Sequence, residues 1–293
     1  MRKQNRRVSA IVTVILSGYA ILCIVPAVLV ISGSFSTATQ LSTVGYRLFP
    51  SPFALDAYKM VFKSVSQILD SYGVSILVTV AGTIASLIIS AMIAYPLSIS
   101  SSRSRRILNF YVYFTMLFSG GLVPSYILIT QYLHLRNNLL VLILPFIAQP
   151  FIIFLLRVFF SQLPGSFSES AKIDGASDFT IFFRLYLPLS KPGLATAGLI
   201  LTLTYWNDWF TALIYINKPN LYPLQLLLVN IVNYTDYVKR AMATSGIPIA
   251  AINVPTEAIT MATCLVAILP MFFLFMFFQK YFVKGIYIGG IKG

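Results

Sequence analysis

Apolar residues run along this chain in six blocks of about twenty or more, separated by short polar stretches. This pattern predicts helices that cross a membrane rather than amphipathic helices around a water-soluble core. The blocks fall at 10–32, 74–99, 107–129, 139–160, 193–216 and 258–282. Each can cross about 30 Å of hydrocarbon at about 1.5 Å per residue. The expected fold class is therefore all-α, a polytopic membrane protein with six transmembrane helices. Pro26, Pro124, Pro145, Pro150 and Pro270 lie inside the blocks. Prolines are tolerated there because neighbouring helices re-satisfy the freed backbone groups, so kinked and tightly packed spans are expected.

One stretch breaks the pattern. ESAKIDGASDFTIFFRLYLP, at 169–188, carries Glu169, Lys172, Asp174, Asp178 and Arg184 between two apolar blocks. Ser166 and Glu169 stand at capping-box spacing, which predicts a helix start there. Ala171, Ile173, Ala176, Phe179, Phe182 and Phe183 predict an apolar side, and the charged residues a polar one. Gly175 permits a sharp turn or a close backbone approach, so two short helices joined there are expected along the membrane surface. Pro188 and Pro192 close the stretch. A solvated loop whose charges keep it out of lipid is the plain alternative. Against it, the loop at 161–192 is long where about eight residues would connect the spans, and long ordered loops usually have a function.

Composition supports a membrane class: 58% of residues are hydrophobic, 10% are charged, and the mean hydropathy is +0.83. The net charge of +13 could suggest nucleic acid. The basic residues, however, are spread beside the ends of the apolar blocks without a basic stripe, and no nucleic-acid partner is expected. With a cytoplasmic amino terminus, fourteen of the 21 Lys and Arg residues fall on the inner side, among them Arg2, Lys3, Arg6, Arg7, Arg103, Arg105 and Arg106. The positive-inside bias thus places both termini in the cytoplasm of a multi-pass protein. The first block is longer than a signal-peptide core, and its loss would break the charge alternation, so it is read as a retained helix.

Cys23 and Cys264 lie inside spans and offer neither a disulfide framework nor a metal site, and His134 is the only histidine. No phosphate loop occurs: SGGLVPS and IGGIKG lack its spacing and lysine placement. No catalytic site or metal is therefore expected in this chain, and any nucleotide chemistry belongs to another one. In the fifth block, TYWNDWF at 204–210 places Asp208 where it must face protein or water. Tyr205, Trp206, Asn207 and Asp208 combine rings that can stack on sugar faces with groups that can pair with hydroxyls. Packing between helices explains the same residues equally well. The segment from Asn217 to Glu257 reads as a long, unstructured, weakly apolar loop containing TSGIPIAAINVP at 244–255. The segment from Gly45 to Asp70 suggests a short surface helix.

Glu169, Ser170 and Ala171, then Gly175, then Leu185, Leu187 and Pro188 match the EAA loop of membrane subunits of ATP-binding-cassette importers: E-A-A, three residues, G, nine residues, I, any residue, L-P. Ser170 and Leu185 are mild departures. LPLSKPGLATAGL at 187–199, the WND at 206–208 and VKGIYIGGIKG at 283–293 extend the match. The chain resembles the shorter permease subunit of maltose-type carbohydrate importers, and FSGGLVPSYILI at 118–129 is similar to the branch that handles complex oligosaccharides. The resemblance spans nearly the whole chain and implies one permease domain over 1–293 with an importer permease fold in a bacterial cytoplasmic membrane. It also implies a coupling helix pair in which Glu169, Ser170, Ala171, Asp174, Gly175, Leu187 and Pro188 meet a cytoplasmic ATPase. The tail residues Gly289, Gly290, Lys292 and Gly293 would reach the ATPase interface, although a frayed tail is the simpler reading of their composition.

The implied partners are a second homologous permease subunit, two cytoplasmic ATPase subunits holding ATP and Mg, an extracellular solute-binding protein, an oligosaccharide and membrane lipid. The loop between Asn217 and Glu257 would contact the binding protein, unless it forms a packed cap. An ion-coupled secondary transporter of a small solute is the rival, but Asp208 is its one candidate relay residue within the spans.

Overall fold

The computed structural model describes residues 2–62, 65–99, 103–245 and 256–289, and among these the secondary structure is helical, with one isolated bridge between Ser36 and Phe53. In chain order the α-helices are α1 (Arg2–Ser34), α2 (Ala38–Thr43), α3 (Asp56–Val61), α4 (Val65–Ile99), α5 (Arg103–Leu117), α6 (Leu122–Ile127) and α7 (Pro150–Ser161). Then follow α8 (Gly165–Ile173), α9 (Asp178–Ile181), α10 (Leu187–Leu189), α11 (Lys191–Asn207), α12 (Phe210–Tyr215), α13 (Leu224–Ser245) and α14 (Thr256–Gly289). Among the described residues two π-helical turns occur, at Leu128–Tyr132 and Phe182–Tyr186.

The six apolar blocks are not six straight helices. By length and composition, Ile11–Ser34 and Ser66–Ile99 can each cross a membrane unbroken. The third block is broken into Arg105–Leu117 and Leu122–Tyr132, bent by 105°. Gly120 and Gly121 are poor helix formers, and Gly121 takes a φ of 86°, where the α-helical hydrogen bonds cannot continue. The fourth is broken into Leu139–Phe146 and Pro150–Ser161, bent by 51°. Pro150 supplies no amide to a preceding turn, and it starts α7 at the one place where a missing donor costs nothing. The fifth breaks at Asp208, whose ψ of 104° is extended. In the sixth, Glu257–Phe273 forms a shorter apolar helix among the described residues.

The chain packs as two compact units, 1–68 with 227–270, and 69–226 with 271–293. In the first, residues 11–27 of α1 are exposed along their whole apolar length, as expected of a helix solvated by lipid or by another chain. Its end is pinned by aromatic contacts. Phe35 stacks on Phe53 at 5.1 Å and meets Tyr58 at 5.0 Å, and the Tyr58 hydroxyl lies 2.9 Å from Ser34 Oγ. A Cβ at Gly33 would collide with Met261 Sδ, so the missing side chain lets Met261 of α14 lie directly on α1. Tyr46 donates to Glu257 at 3.0 Å. Partial burial, then that hydrogen bond and the Glu257 charge, hold the Tyr46 hydroxyl above its ordinary pKa, so it stays a donor. The helix Asp56–Val61 meets the expectation of a short surface helix between Gly45 and Asp70. The segment from Asn217 to Glu257 is not an unstructured loop, since α13 occupies 22 residues of it. Of TSGIPIAAINVP, residues 246–255 lie outside the described residues.

The second unit is built on α4. Val74, Val78, Ala91, Ala94, Tyr95 and Leu97 pack with Ile152, Leu156 and Phe160 of α7 and with Ala197, Leu201 and Tyr205 of α11. A Cβ at Gly82 would stand 2.7 Å from the Tyr205 ring, so the missing side chain brings α4 and α11 together. Leu224 at the head of α13 donates its amide to Ser75 Oγ at 2.8 Å.

Candidate functional site

The polar stretch at 165–189 folds as an elbow in the second unit. Pro164, with φ −58° and ψ 130°, sets the entry, and α8 begins at Gly165. Ser166 therefore sits inside the first turn, and the capping box expected of Ser166 and Glu169 does not form. Ser168 instead turns its hydroxyl back to the Gly165 carbonyl at 2.8 Å. The helix ends in a Schellman turn: the Ala176 amide donates to the Ala171 carbonyl at 2.9 Å and the Gly175 amide to the Lys172 carbonyl at 3.0 Å. Gly175 takes the left-handed φ of 79° that this turn requires. Beyond its two chain neighbours, no atom of the described residues lies within 4 Å of where its Cβ would be, so the backbone angle demands glycine and close packing does not. Ser177 then caps α9, accepting the Thr180 amide at 3.3 Å. Lys172 and Asp178 bridge the turn at 3.2 Å.

The faces of the elbow differ from the expected polar and apolar sides. Ala171 and Ala176 are half-buried against the core, and Phe182 is buried, as an inward apolar side predicts. Ile173 and Phe179, however, point outward, 86% and 69% exposed, and Phe183 is half exposed. Nine residues of α8 and one turn of α9 are too short to bury every apolar position once the Schellman turn has fixed their direction.

What holds the elbow to the bundle is aromatic. Tyr95 of α4 meets Phe182 at 5.2 Å and Tyr186 edge-on at 4.9 Å, and Phe160 of α7 meets Phe182 at 6.4 Å and Tyr186 at 5.9 Å. All four rings are buried. The π-helical turn that carries Phe182 and Tyr186 brings both rings onto the core, and such turns are frequent at functional sites. The sequence signalled this cluster only as aromatics in a charged stretch; which of them turn inward depends on the π turn.

Of the expected coupling residues, Glu169, Ser170, Asp174 and Gly175 share the exposed surface of the elbow, while Ala171 and Leu187 are half-buried beneath it and Pro188 lies exposed where the chain turns into α11. In the tail, Gly289 ends α14, and Gly290, Lys292 and Gly293 lie outside the described residues.

The WND segment is spent on packing. The Tyr205 hydroxyl lies 2.6 Å from Ser86 Oγ and 3.0 Å from the Ile143 carbonyl, and Ser86 reaches the Phe146 carbonyl at 3.2 Å. Trp206 is buried. Asn207 donates to its own helix at the Leu203 carbonyl, 2.9 Å away. Asp208 Oδ1 accepts the Thr211 amide at 3.1 Å, satisfying a donor at the start of α12. These four residues are adjacent in sequence but do not converge on one open surface. A recess of about 620 Å³ lies between α4, α5 and α7, lined by Met92, Pro96, Leu108, Val112 and Ile153 among others. Its lining is mostly hydrocarbon, with Tyr111 and Thr115 the two residues that carry a side-chain hydroxyl, a poor match for a sugar's many hydroxyls.

The family model described as binding-protein-dependent transport system inner membrane component matches residues 6–287. The chain is 41% identical over 278 residues to protein LplC of Bacillus subtilis (strain 168), covering 95% of this chain and 92% of that one. It is 39% identical over 290 residues to the polygalacturonan/rhamnogalacturonan transport system permease protein YtcP of the same organism, covering 99% and 100%. Among solved structures, a bacterial ABC transporter involved in the import of the acidic polysaccharide alginate matches with a TM-score of 0.81 at 30% identity, covering 94% of this chain and 97% of that chain.

Proposed function

The chain belongs to the inner membrane components of binding-protein-dependent transport systems, and from that premise we propose that it is the permease subunit of an ATP-driven importer. It moves oligosaccharides across the cytoplasmic membrane by alternating access, driven by ATPase subunits on separate chains that hold ATP and Mg. The observation that carries this reading is the elbow: an exposed tip, with Ile173 and Phe179 outward, rigidly joined through Phe182 and Tyr186 to Tyr95 and Phe160 on two bundle helices. Exposed apolar anchors rimmed by Glu169, Lys172 and Asp174 have the composition of a protein interface, and buried rings behind them transmit displacement because a packed core does not deform continuously. A cytoplasmic ATPase pushing on the tip therefore moves α4 and α7 as one body.

A second permease subunit completes the translocation path, and an extracellular solute-binding protein delivers the sugar. The saccharide named for the YtcP relative supports a carbohydrate cargo. An ion-coupled secondary transporter is less well supported, since Asp208 spends an oxygen on the Thr211 amide. The tail at 286–293 reaches the ATPase, so removing it lowers ATPase activity without loss of membrane insertion.

The test is uptake and substrate-stimulated ATP hydrolysis by the assembled complex in proteoliposomes. Ile173→Asp with Phe179→Asp is expected to abolish both while the chain still inserts. Uptake at the normal rate in that variant, or uptake driven by an ion gradient without ATP, would reject the proposal.

A further inference from the structure

Two arginines flank the recess between α4, α5 and α7. Leu108 and Val112 of α5 line it, and Arg105 stands on the same helix face, one turn before Leu108. Ile153 of α7 lines it too, and Arg157 stands four residues later, again on the same face. The two helices touch, with Tyr113 of α5 edge-on to Phe154 of α7 at 6.5 Å. The guanidinium carbon of Arg157 lies over that Phe154 ring, 5.8 Å from its centre, so the side chain leans back along α7 toward the turn that carries Ile153. The charge that acts on Arg157 is the like charge of Arg105, and both residues are half-buried.

Nothing in the three helices neutralises this pair. No acidic residue occurs between Asp70 and Glu169, a stretch that holds α4 beyond Asp70 and the whole of α5 and α7. On the elbow, Asp178 is bridged to Lys172. Arg157 makes no ion pair among the described residues. A guanidinium turned back over an apolar helix face is costly unless an anion meets it. The recess beside it offers hydrocarbon: the Thr115 hydroxyl is spent on the Val112 carbonyl of its own helix at 2.8 Å. Met92 and Pro96 line its α4 side, and Tyr95 between them turns its ring to Phe182 and Tyr186 of the elbow. A hydrocarbon hollow thus lies between two cations and the helix that anchors the elbow.

We infer that this recess binds one anionic phospholipid, its phosphate held by Arg105 and Arg157 and an acyl chain laid along Met92, Pro96, Val112 and Ile153. A volume of about 620 Å³ is that of a ligand pocket. Guanidinium forks match phosphate oxygens in paired hydrogen bonds. Two cations with no acid beside them favour a headgroup of net negative charge, because the ammonium of a zwitterionic lipid finds no partner here. A free phosphate would leave the hydrocarbon lining uncovered, whereas an acyl chain covers it. Basic pockets between membrane helices on the cytoplasmic side bind anionic headgroups for these reasons. The importer reading supplies the leaflet, since the elbow packs on the same stretch of α4. The inference goes beyond that reading, because its ligand is the bilayer and not the cargo.

The test is native mass spectrometry of the assembled complex, exchanged into phosphatidylglycerol or into phosphatidylcholine with the same acyl chains, to count the lipids that stay bound. The wild type is expected to retain phosphatidylglycerol in preference to phosphatidylcholine. Arg105→Gln with Arg157→Gln is expected to retain one phosphatidylglycerol fewer, its affinity for that lipid falling about thirtyfold. Val112→Trp fills the recess with both arginines present and is expected to lose the same lipid. Arg106→Gln removes a charge from an exposed position of α5 and is expected to keep it. Equal retention of the two lipids by the wild type overturns the inference. So does an unchanged count in the arginine variant, or in Val112→Trp, which would mean an anion site without a lipid. Each variant decides separately, so the inference can be refuted even if one of them fails to assemble. Ile173→Asp with Phe179→Asp is expected to stop uptake and leave this lipid in place, which tells a failure of the importer reading from a failure of the lipid site.

Discussion

The elbow at 165–189 and the WND segment at the end of α11 are both polar interruptions of apolar sequence, yet the fold treats them in opposite ways. In the elbow the backbone satisfies itself through the Schellman turn, so the side chains of Glu169, Ser170, Ile173 and Asp174 remain free to meet a partner. In the WND segment the side chains do the satisfying: Tyr205 serves Ile143 and Ser86, Asn207 serves Leu203, and Asp208 serves Thr211. Polarity in an apolar block therefore does not mark a site by itself. What matters is whether a group is still available after the local backbone has been paired, because an unpaired buried amide or carbonyl costs more than most contacts gain.

The contrast can be attacked first at Tyr205. Tyr205→Ala removes a buried ring against Gly82 and Phe146 and is expected to destabilise the complex by about 3–5 kcal/mol. Thermal unfolding of the purified complex would show it, and a near-normal midpoint with an altered sugar preference would make Tyr205 a binding residue instead. Gly175→Asp comes next. Left-handed strain costs about 1–2 kcal/mol, but the expected effect on ATP-driven uptake is more than tenfold, since the branched charge stands at the exposed turn. Asp208→Ala should cost about 1 kcal/mol, the worth of a lost cap, with little change in uptake. A severe loss of uptake at unchanged stability would restore Asp208 to the transport path. Lys172→Ala should cost under about 1 kcal/mol, because the bridge to Asp178 is solvent-exposed.

The sequence made the helical membrane class legible because twenty-residue apolar blocks have few other physical uses. It made the elbow legible in part, since Gly175 allowed a sharp turn or a close backbone approach, and the structure takes the turn. The breaks were harder to see. Glycine and proline at 120, 121, 145 and 150 announce irregularity, but the 105° and 51° bends depend on what neighbouring helices accept. Phe182 stood on the expected apolar side, but the inward turn of Tyr186 was hidden for another reason. A π turn changes the side-chain period by one residue, so a helical reading of 179–187 assigns the faces wrongly from that point on. The recess flanked by Arg105 and Arg157 was equally hidden, because its three helices lie far apart in the chain and only the fold brings them together.

The most direct measurement of the central claim is site-specific crosslinking in the assembled complex, with cysteine placed in turn at Ile173, Phe179 and Arg136 after Cys23 and Cys264 are replaced. The account predicts crosslinks from 173 and 179 to an ATPase subunit, changing in yield with ATP, and none from 136. An absence of crosslinks at 173 and 179, or equal yields at all three positions, would contradict it.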